Sequence, residues 1–538
     1  MTGDGTPTAP GSPGAPRPPD EPGGPAAPNE GWLPADHGAD TGGLRTRVAR
    51  GLTWTLVDNW GSQLLGLVIL VILLRLLVPE EVGLVALAAA IVGVAQLFVD
   101  QGLGDALIQR PSLRRIDIDT AFWAAVVTGA VLTVGGLLLA GPLSTLVGEP
   151  RLAPIIQALS FTFLLTAFSS IQMALLRRDM RFRSLAARRL IAIGGGGAIG
   201  IAAAFLGFGA WALVAQQVSQ AAISVVTLWA VSPWRPGLTA SWVAFKSLLR
   251  FGANIVAGDL LFYLSRNADN LLVGTFLGST ALGFYAVGFR VLDASTAMLV
   301  TAARKLGFPT FARLQHDRDR LRRAYGRMSR ILYSVTLPGY IGLALVAQEA
   351  IVVFAGAQWR ASAPIAMVLV LTGPAQALQA YAGGLFNGIG RPDITLRYRL
   401  LTAVLNIAGF LVAVLIFRDA LVVAIAYALR SYVLAPIVLG WLQRYAGIPA
   451  LENLLRLRRI AAATVLMALA VLLVKAVAAA TLHPGMLLVV EIVVGAGVYL
   501  LAMLVIEREL VLDVWRFARQ AMPGGLGTRL FGARRGTA

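Results

Sequence analysis

Two short charged pairs interrupt two long apolar segments near the middle of the chain. Arg266 and Asp269 lie in the first segment, and Arg290 and Asp293 lie in the second, so the pattern Arg-x-x-Asp occurs twice. Residues with this spacing lie on one face of a helix. A charge left in hydrocarbon costs about 2.5–3.5 kcal/mol on insertion scales, so such residues face a bundle interior or a wet cavity. We therefore expect these four side chains to contact the molecule on which the protein acts.

The composition indicates a protein that crosses a membrane many times. The chain has 538 residues, of which 57% are hydrophobic and 14% are charged. A soluble domain carries about 25% charged residues, and an apolar run of about 18 residues or more indicates a transmembrane helix. The sequence predicts an all-α polytopic membrane protein with about fourteen transmembrane helices.

Internal similarity predicts two lobes that run in parallel. The sequence that begins at Gly51, crosses one span and continues from Pro79 is similar to the sequence that begins at Gly252, crosses one span and continues from Ser279. The offset contains six spans, so an axis along the membrane normal relates the two halves. The predicted segments are a disordered cytoplasmic Pro/Gly-rich tail (1–43), an N-lobe of helices 1–6 (44–231), an amphipathic inter-lobe linker (232–250), a C-lobe of helices 7–12 (251–442), helices 13–14 (443–506) and a basic cytoplasmic tail (507–538).

The distribution of basic residues predicts the orientation. The formal net charge is +18, and most of the 46 Lys and Arg residues fall in loops on one side of the predicted membrane. The other side holds Arg75, Arg151, Arg360 and Arg418. Cytoplasmic loops carry the excess of Lys and Arg, so both termini are predicted to be cytoplasmic in the cell membrane. The positive charge thus fits the cytoplasmic side of a membrane, with its lipids as partners, and we expect no nucleic-acid partner.

Three motifs resemble those of Wzx-type polysaccharide flippases. The segment 100–110 (DQGLGDALIQR) resembles their motif at the end of helix 2, and 174–183 (ALLRRDMRFR) resembles their loop after helix 4. Residues 269–285 resemble their hairpin of helices 7 and 8. The similarity covers roughly 45–510 and is typical of the colanic-acid and teichuronic-acid exporter branch. It implies the MATE-like fold of the MOP superfamily.

The resemblance implies export of polyprenyl-pyrophosphate-linked oligosaccharide by alternating access, for capsule or exopolysaccharide synthesis. Arg266 and Arg290 would then bind the pyrophosphate, because Arg keeps its charge at low dielectric. The polymerase and glycosyltransferases of the same biosynthesis are further candidate partners. We expect no enzymatic activity, catalytic residue, cofactor or metal site. The candidate cavity-lining residues, each of which could equally serve helix packing, are Asp58, Asn59, Trp60, Asn254, Asp259, Asn267, Asn270, Gln376 and Gln379.

The depths of the hairpin charges predict two ion pairs. Asp269 and Arg290 lie at nearly equal distances from the turn at Ser279, and Arg266 and Asp293 also match each other. Each pair would neutralise its arginine until a proton or cation binds the carboxylate and frees the guanidinium for substrate. This would couple transport to an ion gradient, whereas a permanent structural clamp is the alternative.

Two other functions remain open from the residues alone. A MATE-type multidrug or cation antiporter would share the fold, but intramembrane arginines disfavour a cavity for cations. A non-transporting component of envelope polysaccharide assembly is disfavoured by the short loops on the predicted outer side. Arg430 and Lys475 are interpreted as snorkelling or structural residues of peripheral helices. Pro338, Pro436 and the pair Gly373-Pro374 are predicted to kink their helices.

Overall fold

The computed structural model describes residues 41–100, 103–109, 113–300 and 310–510, and these residues contain α-helices and no strand. The first lobe contains α1 (Thr41–Leu76), α2 (Pro79–Asp100), α3 (Leu103–Gln109), α4 (Arg115–Val147), α5 (Leu152–Arg178), α6 (Phe182–Phe205) and α7 (Ala210–Val231). The remaining helices are α8 (Trp242–Leu277), α9 (Ser279–Leu299), α10 (Arg318–Leu345), α11 (Ala347–Phe354), α12 (Ser362–Leu371), α13 (Gly373–Gly388), α14 (Pro392–Val412), α15 (Ala420–Ala446), α16 (Ala450–Leu455), α17 (Arg458–Ala478) and α18 (Pro484–Ile506). A π-helical turn (Ala413–Phe417) continues α14.

The lengths of these helices fit a membrane protein. Ten segments of the described chain are long and apolar enough to cross a membrane, with α12 and α13 counted together as one, or eleven if the bent pair α10–α11 forms one more. The apolar side chains that point outward, such as those of Leu138, Val226 and Val505, suit contact with lipid. The protein is therefore a multi-pass membrane protein, and the number fourteen stays a prediction.

The helices form two packed groups joined through α2, α8 and α9. In the first lobe α6 packs on α7 and α1, and α4 packs on α5, whereas in the second lobe α9 packs on α12 and α12 packs on α15. The main contacts between the lobes join α2 to α9 and to α8. Helices α17 and α18 pack on each other and reach α10 and α11. The two-lobed architecture is thus as predicted, with the last pair added at one side.

Two glycines make the crossing of α2 and α9 symmetrical. A Cβ atom on Gly83 would lie 1.7 Å from the carbonyl oxygen of Ser279, and one on Gly283 would lie 1.9 Å from that of Pro79. Each glycine thus admits the first turn of the helix from the other lobe. Gly83 and Gly283 each lie four residues after the start of the two similar segments, at Pro79 and Ser279, so the repeat in the sequence appears in the structure as a symmetrical contact.

Three local features differ from the prediction. Helix α1 begins at Thr41, inside the predicted tail, and α8 begins at Trp242, inside the predicted linker. The helical chain bends by 66° between α10 and α11, at Val346, where no bend was predicted, while Pro338 lies inside α10 and its kink stays a prediction. A proline removes only one backbone hydrogen bond, and packing on neighbouring helices can hold the helix together around it.

The loops lie on two faces of the molecule. We call one of them the Arg-poor face, and it is the face predicted to lie outside. It contains the loops 77–78, 148–151, 206–209, 278, 355–361, 418–419 and 479–483. The opposite face carries most of the basic loop residues, and we call it the basic face.

Candidate substrate site

The α8–α9 hairpin places four charged residues in the middle of two long helices. Gly278 joins the helices with φ 88°, a left-handed value that glycine adopts without steric cost. The chain therefore reverses within a single residue on the Arg-poor face. Both Arg-x-x-Asp pairs lie far from this turn, within the apolar length of their helices.

Arg266 and Asp293 form an ion pair between the two helices of the hairpin. The Nη2 atom of Arg266 donates to Oδ1 of Asp293 at 2.7 Å. The exposed fractions of the two side chains are 50% and 47%. This is one of the two predicted pairs, and its exposure leaves room for a third group beside it.

Asp269 does not pair with Arg290, so the second predicted ion pair is absent. The buried Asp269 carboxylate accepts a hydrogen bond from the Tyr285 hydroxyl at 2.7 Å and one from the Asn270 backbone N–H at 2.8 Å. Tyr285 and Arg290 are about 140° apart around α9 at 100° per residue. When Tyr285 faces Asp269, Arg290 must therefore point elsewhere. The distance of each residue from the turn, on which the prediction was based, does not show how α9 is rotated about its axis.

Arg290 carries an unpaired charge on an exposed side chain. Among the described residues it makes no side-chain hydrogen bond and no ion pair. Its guanidinium is thus available to a ligand, and Asp293, one helical turn further along α9, is the carboxylate that interacts with it electrostatically.

A buried arginine lies behind the hairpin in the second lobe. Arg430 of α15 is 8% exposed, lies over the ring of Tyr427 at 4.5 Å and donates to the Ser431 hydroxyl at 2.8 Å. Its Nε atom is buried and has no hydrogen-bond partner in the described part of the chain. Of the two interpretations of Arg430, as a snorkelling or as a structural residue of a peripheral helix, its burial and contacts favour the structural one, and its helix is not peripheral, because α15 packs on α12, α13 and α14. Its spacing of three residues from Tyr427 on one helix was the available signal.

The two candidate glutamines connect helices. Gln379 donates to the Ser431 carbonyl oxygen at 2.9 Å and accepts from the Tyr398 hydroxyl. Gln376 donates to the Thr372 hydroxyl at 2.9 Å and to the Tyr427 hydroxyl at 3.4 Å. Both side chains thus contribute to packing within the second lobe in this conformation.

The candidate asparagines of α8 differ in their hydrogen bonding. Asn267 donates to the Tyr263 carbonyl oxygen of its own helix at 3.1 Å. The Oδ1 atom of Asn270 is buried without a hydrogen-bond partner among the described residues. The side chains of Asn59, Asn254 and Asp259 lie outside the described residues.

In the first lobe, Asp58 lies beside two arginines of α6. Its carboxylate accepts from Arg189 at 3.5 Å and from the Ser62 hydroxyl at 3.3 Å. The neighbouring Arg188 donates to the Ser224 hydroxyl of α7 at 2.8 Å. The indole of Trp60 is 49% exposed on α1. Sequence reasoning missed the two arginines because it counted them as loop residues.

Three known proteins of surface-polysaccharide biosynthesis are similar in sequence to this chain. The succinoglycan biosynthesis transport protein ExoT of Rhizobium meliloti (strain 1021) is 27% identical over 88% of this chain and 96% of its own length. The lipopolysaccharide biosynthesis protein WzxC of Escherichia coli (strain K12) is 25% identical over 76% of this chain and 87% of its own. The teichuronic acid biosynthesis protein TuaB of Bacillus subtilis (strain 168) is 25% identical over 72% and 81%, respectively.

Two solved structures share the fold. The lipid II flippase MurJ in an inward closed conformation superposes with a TM-score of 0.70 and 13% identity, covering 86% of this chain and 100% of MurJ. An inward-facing multidrug MATE transporter of the MOP superfamily superposes with a TM-score of 0.57 and 16% identity, covering 72% and 94%. The fold is therefore the MATE-like fold. A family of proteins described as polysaccharide biosynthesis proteins matches residues 72–364. The chain belongs to this polysaccharide biosynthesis protein family.

Proposed function

We propose that this protein is a flippase that moves polyprenyl-pyrophosphate-linked oligosaccharide across the cytoplasmic membrane by alternating access, for capsule or exopolysaccharide synthesis. One observation carries the proposal: the charged side chains of Arg266, Asp293 and Arg290 are exposed in the middle of α8 and α9, which pack on helices long and apolar enough to cross a membrane. Exposure to lipid would be costly for each of them. They therefore face a water-filled cavity, which an exporter of a polar head group needs.

The unpaired Arg290 supplies the chemistry for a pyrophosphate. A guanidinium stays charged at low dielectric and binds phosphate oxygens through two parallel N–H donors. Arg266 provides a second guanidinium on the same hairpin once Asp293 releases it. A cavity that binds cationic drugs would not leave an arginine unpaired, so this charge disfavours a multidrug antiporter.

The Arg266–Asp293 pair offers a means of coupling to an ion gradient. A proton or cation bound to Asp293 frees Arg266 for the substrate, and release of substrate restores the pair. Substrate and carboxylate then compete for one guanidinium. Asp269 has a different role in this scheme, because Tyr285 rather than an arginine is its partner.

The relatives and the charge distribution support the remaining parts of the proposal. ExoT is named a transport protein of succinoglycan biosynthesis, and WzxC and TuaB are named for the biosynthesis of other surface polysaccharides. The excess of basic residues on one face favours cytoplasmic termini, with the Arg-poor face outside. The protein is not an enzyme in this proposal.

Deletion of the gene in its own host tests the function. The expected result is loss of one surface polysaccharide together with accumulation of its lipid-linked repeat unit on the cytoplasmic side, and return of both to normal on complementation. Unchanged surface polysaccharide combined with increased drug sensitivity would instead support a multidrug transporter. Accumulation of the repeat unit on the outer side would support a role in polymerisation.

A further inference from the structure

The ends of α1 and α11 join the two lobes on the Arg-poor face. Arg75, in the last turn of α1, donates its Nε–H to the Phe354 carbonyl oxygen at 2.9 Å and an Nη2–H to that of Val353. These carbonyls belong to the last turn of α11, where the helix offers them no N–H partner. A cation at a helix C-terminus is also favoured by the helix dipole. Arg75 of the first lobe thus caps a helix of the second lobe.

Residues that follow α11 in turn cap the end of α1. The indole N–H of Trp359 donates to the Leu74 carbonyl oxygen at 2.7 Å, and the amide of Gln358 donates to the same oxygen at 3.1 Å. Leu74 lies in the last turn of α1, so its carbonyl also has no N–H partner within its helix. The two helix ends therefore cap each other, and we call this contact the α1–α11 latch.

The latch covers an apolar core that both lobes share. This core includes Leu73 and Leu77 of the first lobe and Val287, Ile351 and Trp359 of the second. The indole of Trp359 is fully buried, and its ring meets that of Phe284 edge to face at 6.2 Å. Val287 of this core is only 4% exposed, so water on the Arg-poor face reaches very little of its side chain in this structure.

Helix α11 is held at its other end by a different element. Glu349, in its first turn, pairs with Lys475 of α17 at 2.9 Å, and the same ammonium group donates to the Leu345 carbonyl oxygen at 2.7 Å. Val346 shares an apolar cluster with Val471 and Leu488 of the last helix pair. This end of α11 is buried, whereas Arg75 at the latch is exposed. Water can replace the bonds of Arg75 more readily than those of Glu349, so the Arg75 bonds are the part of these attachments that breaks most easily.

We propose that the α1–α11 latch is the outer gate of the transporter. In the gate's closed state Arg75 and Trp359 join the lobes, and opening breaks these bonds while α11 stays on α17 through Glu349 and Lys475. The last helix pair thereby gains a role as the anchor of the gate. This inference rests on the proposed transport function, but its test measures exposure of the shared core and needs no transport.

A single cysteine at Val287 reports the state of the gate. The natural chain contains no cysteine, so Val287→Cys is the only thiol. In intact cells, a membrane-impermeant maleimide is applied from outside and the labelling rate is measured. Labelling is expected to be slow in this background. Arg75→Ala removes two hydrogen bonds, and Trp359→Phe keeps the ring while removing one donor. Both substitutions are expected to raise the labelling rate, because each lost hydrogen bond lowers the stability of the closed gate and so raises the fraction of molecules with an open gate. For Arg75→Ala we expect an increase of about fivefold or more.

Matched variants separate gating from damage to the fold. Arg418→Ala removes another exposed arginine of the Arg-poor face that lies outside the latch, and it is expected to leave the rate unchanged. Arg75→Lys is expected to give an intermediate rate, because an ammonium can cap only part of the helix end. Trp359→Phe serves as the informative variant if Arg75→Ala lowers the amount of protein in the membrane.

Two results would overturn the gate. One is an unchanged labelling rate in both Arg75→Ala and Trp359→Phe at normal protein level. The other is labelling of these variants only in inside-out vesicles, which would place this face in the cytoplasm. Neither result affects the gene-deletion test, so failure of the gate and failure of the flippase proposal are distinguishable.

Discussion

The Tyr285 hydroxyl donates to the Asp269 carboxylate at 2.7 Å, across the two helices of the hairpin. This bond holds the buried carboxylate away from Arg290 and leaves that arginine unpaired. The hairpin therefore contains one neutralised arginine, Arg266, and one arginine, Arg290, that has no hydrogen bond or ion pair to any side chain that the structure describes. In the proposed site, the guanidinium of Arg290 is always open to substrate, whereas that of Arg266 becomes open only when Asp293 releases it.

Loss of the Tyr285 hydroxyl should destabilise the second lobe. Tyr285→Phe leaves one buried oxygen of Asp269 without its side-chain donor, which is expected to cost about 1–3 kcal/mol. Thermal unfolding of the purified protein in detergent measures this change. A double-mutant cycle with Asp269→Asn should show coupling, because the two residues share one hydrogen bond. Additive effects of the two substitutions would contradict the assigned contact.

The crossing of α2 and α9 should not tolerate a side chain at Gly83. Gly83→Ala places a Cβ atom against the Ser279 carbonyl oxygen, and overpacking of this kind costs about 1–3 kcal/mol. The melting temperature of the variant should therefore fall. Gly66→Ala is the control, because its added Cβ meets no atom within 4 Å. Equal melting temperatures for the two variants would show that the lobes do not approach as closely as described.

Removal of the negative charge of Asp293 should make transport independent of the ion gradient. Asp293→Asn leaves Arg266 permanently available to substrate, so transport is expected to persist at a reduced rate and to lose its dependence on an imposed proton or sodium gradient. Proteoliposomes containing the lipid-linked repeat unit provide the measurement. Asp269→Asn is the comparison, and it should retain the dependence because Asp269 has no arginine partner. Retained dependence in Asp293→Asn would leave the ion pair as a structural clamp.

Much of the fold could be predicted because it depends on properties that the sequence displays directly. Apolar length indicates the helices, and the repeated glycines at Gly83 and Gly283 indicate two related lobes. The Arg266–Asp293 pair followed from equal depth along two antiparallel helices. These features require no knowledge of how the helices are rotated or which side of each is covered.

The features that the sequence did not predict all depend on tertiary packing. The rotation of α9 decides that Tyr285 rather than Arg290 meets Asp269. The bend of the chain falls at Val346, beside the contacts of Lys475 with the Leu345 carbonyl oxygen and Glu349, where the sequence has no proline. Arg430 is buried because its helix packs on three neighbours, and hydropathy alone does not show this.

Export of polysaccharide by the Arg290→Ala variant tests the proposed site most directly. The variant loses the unpaired guanidinium but no contact within the described protein, so its level in the membrane should be normal. Export should fall about tenfold or more, since charge-assisted hydrogen bonds contribute about 1.5–3 kcal/mol each. Arg290→Lys should recover part of the export, because it restores the charge without the two parallel donors. The control Arg418→Ala should export normally. Normal export by Arg290→Ala at normal protein level would contradict the assignment of this arginine to the substrate.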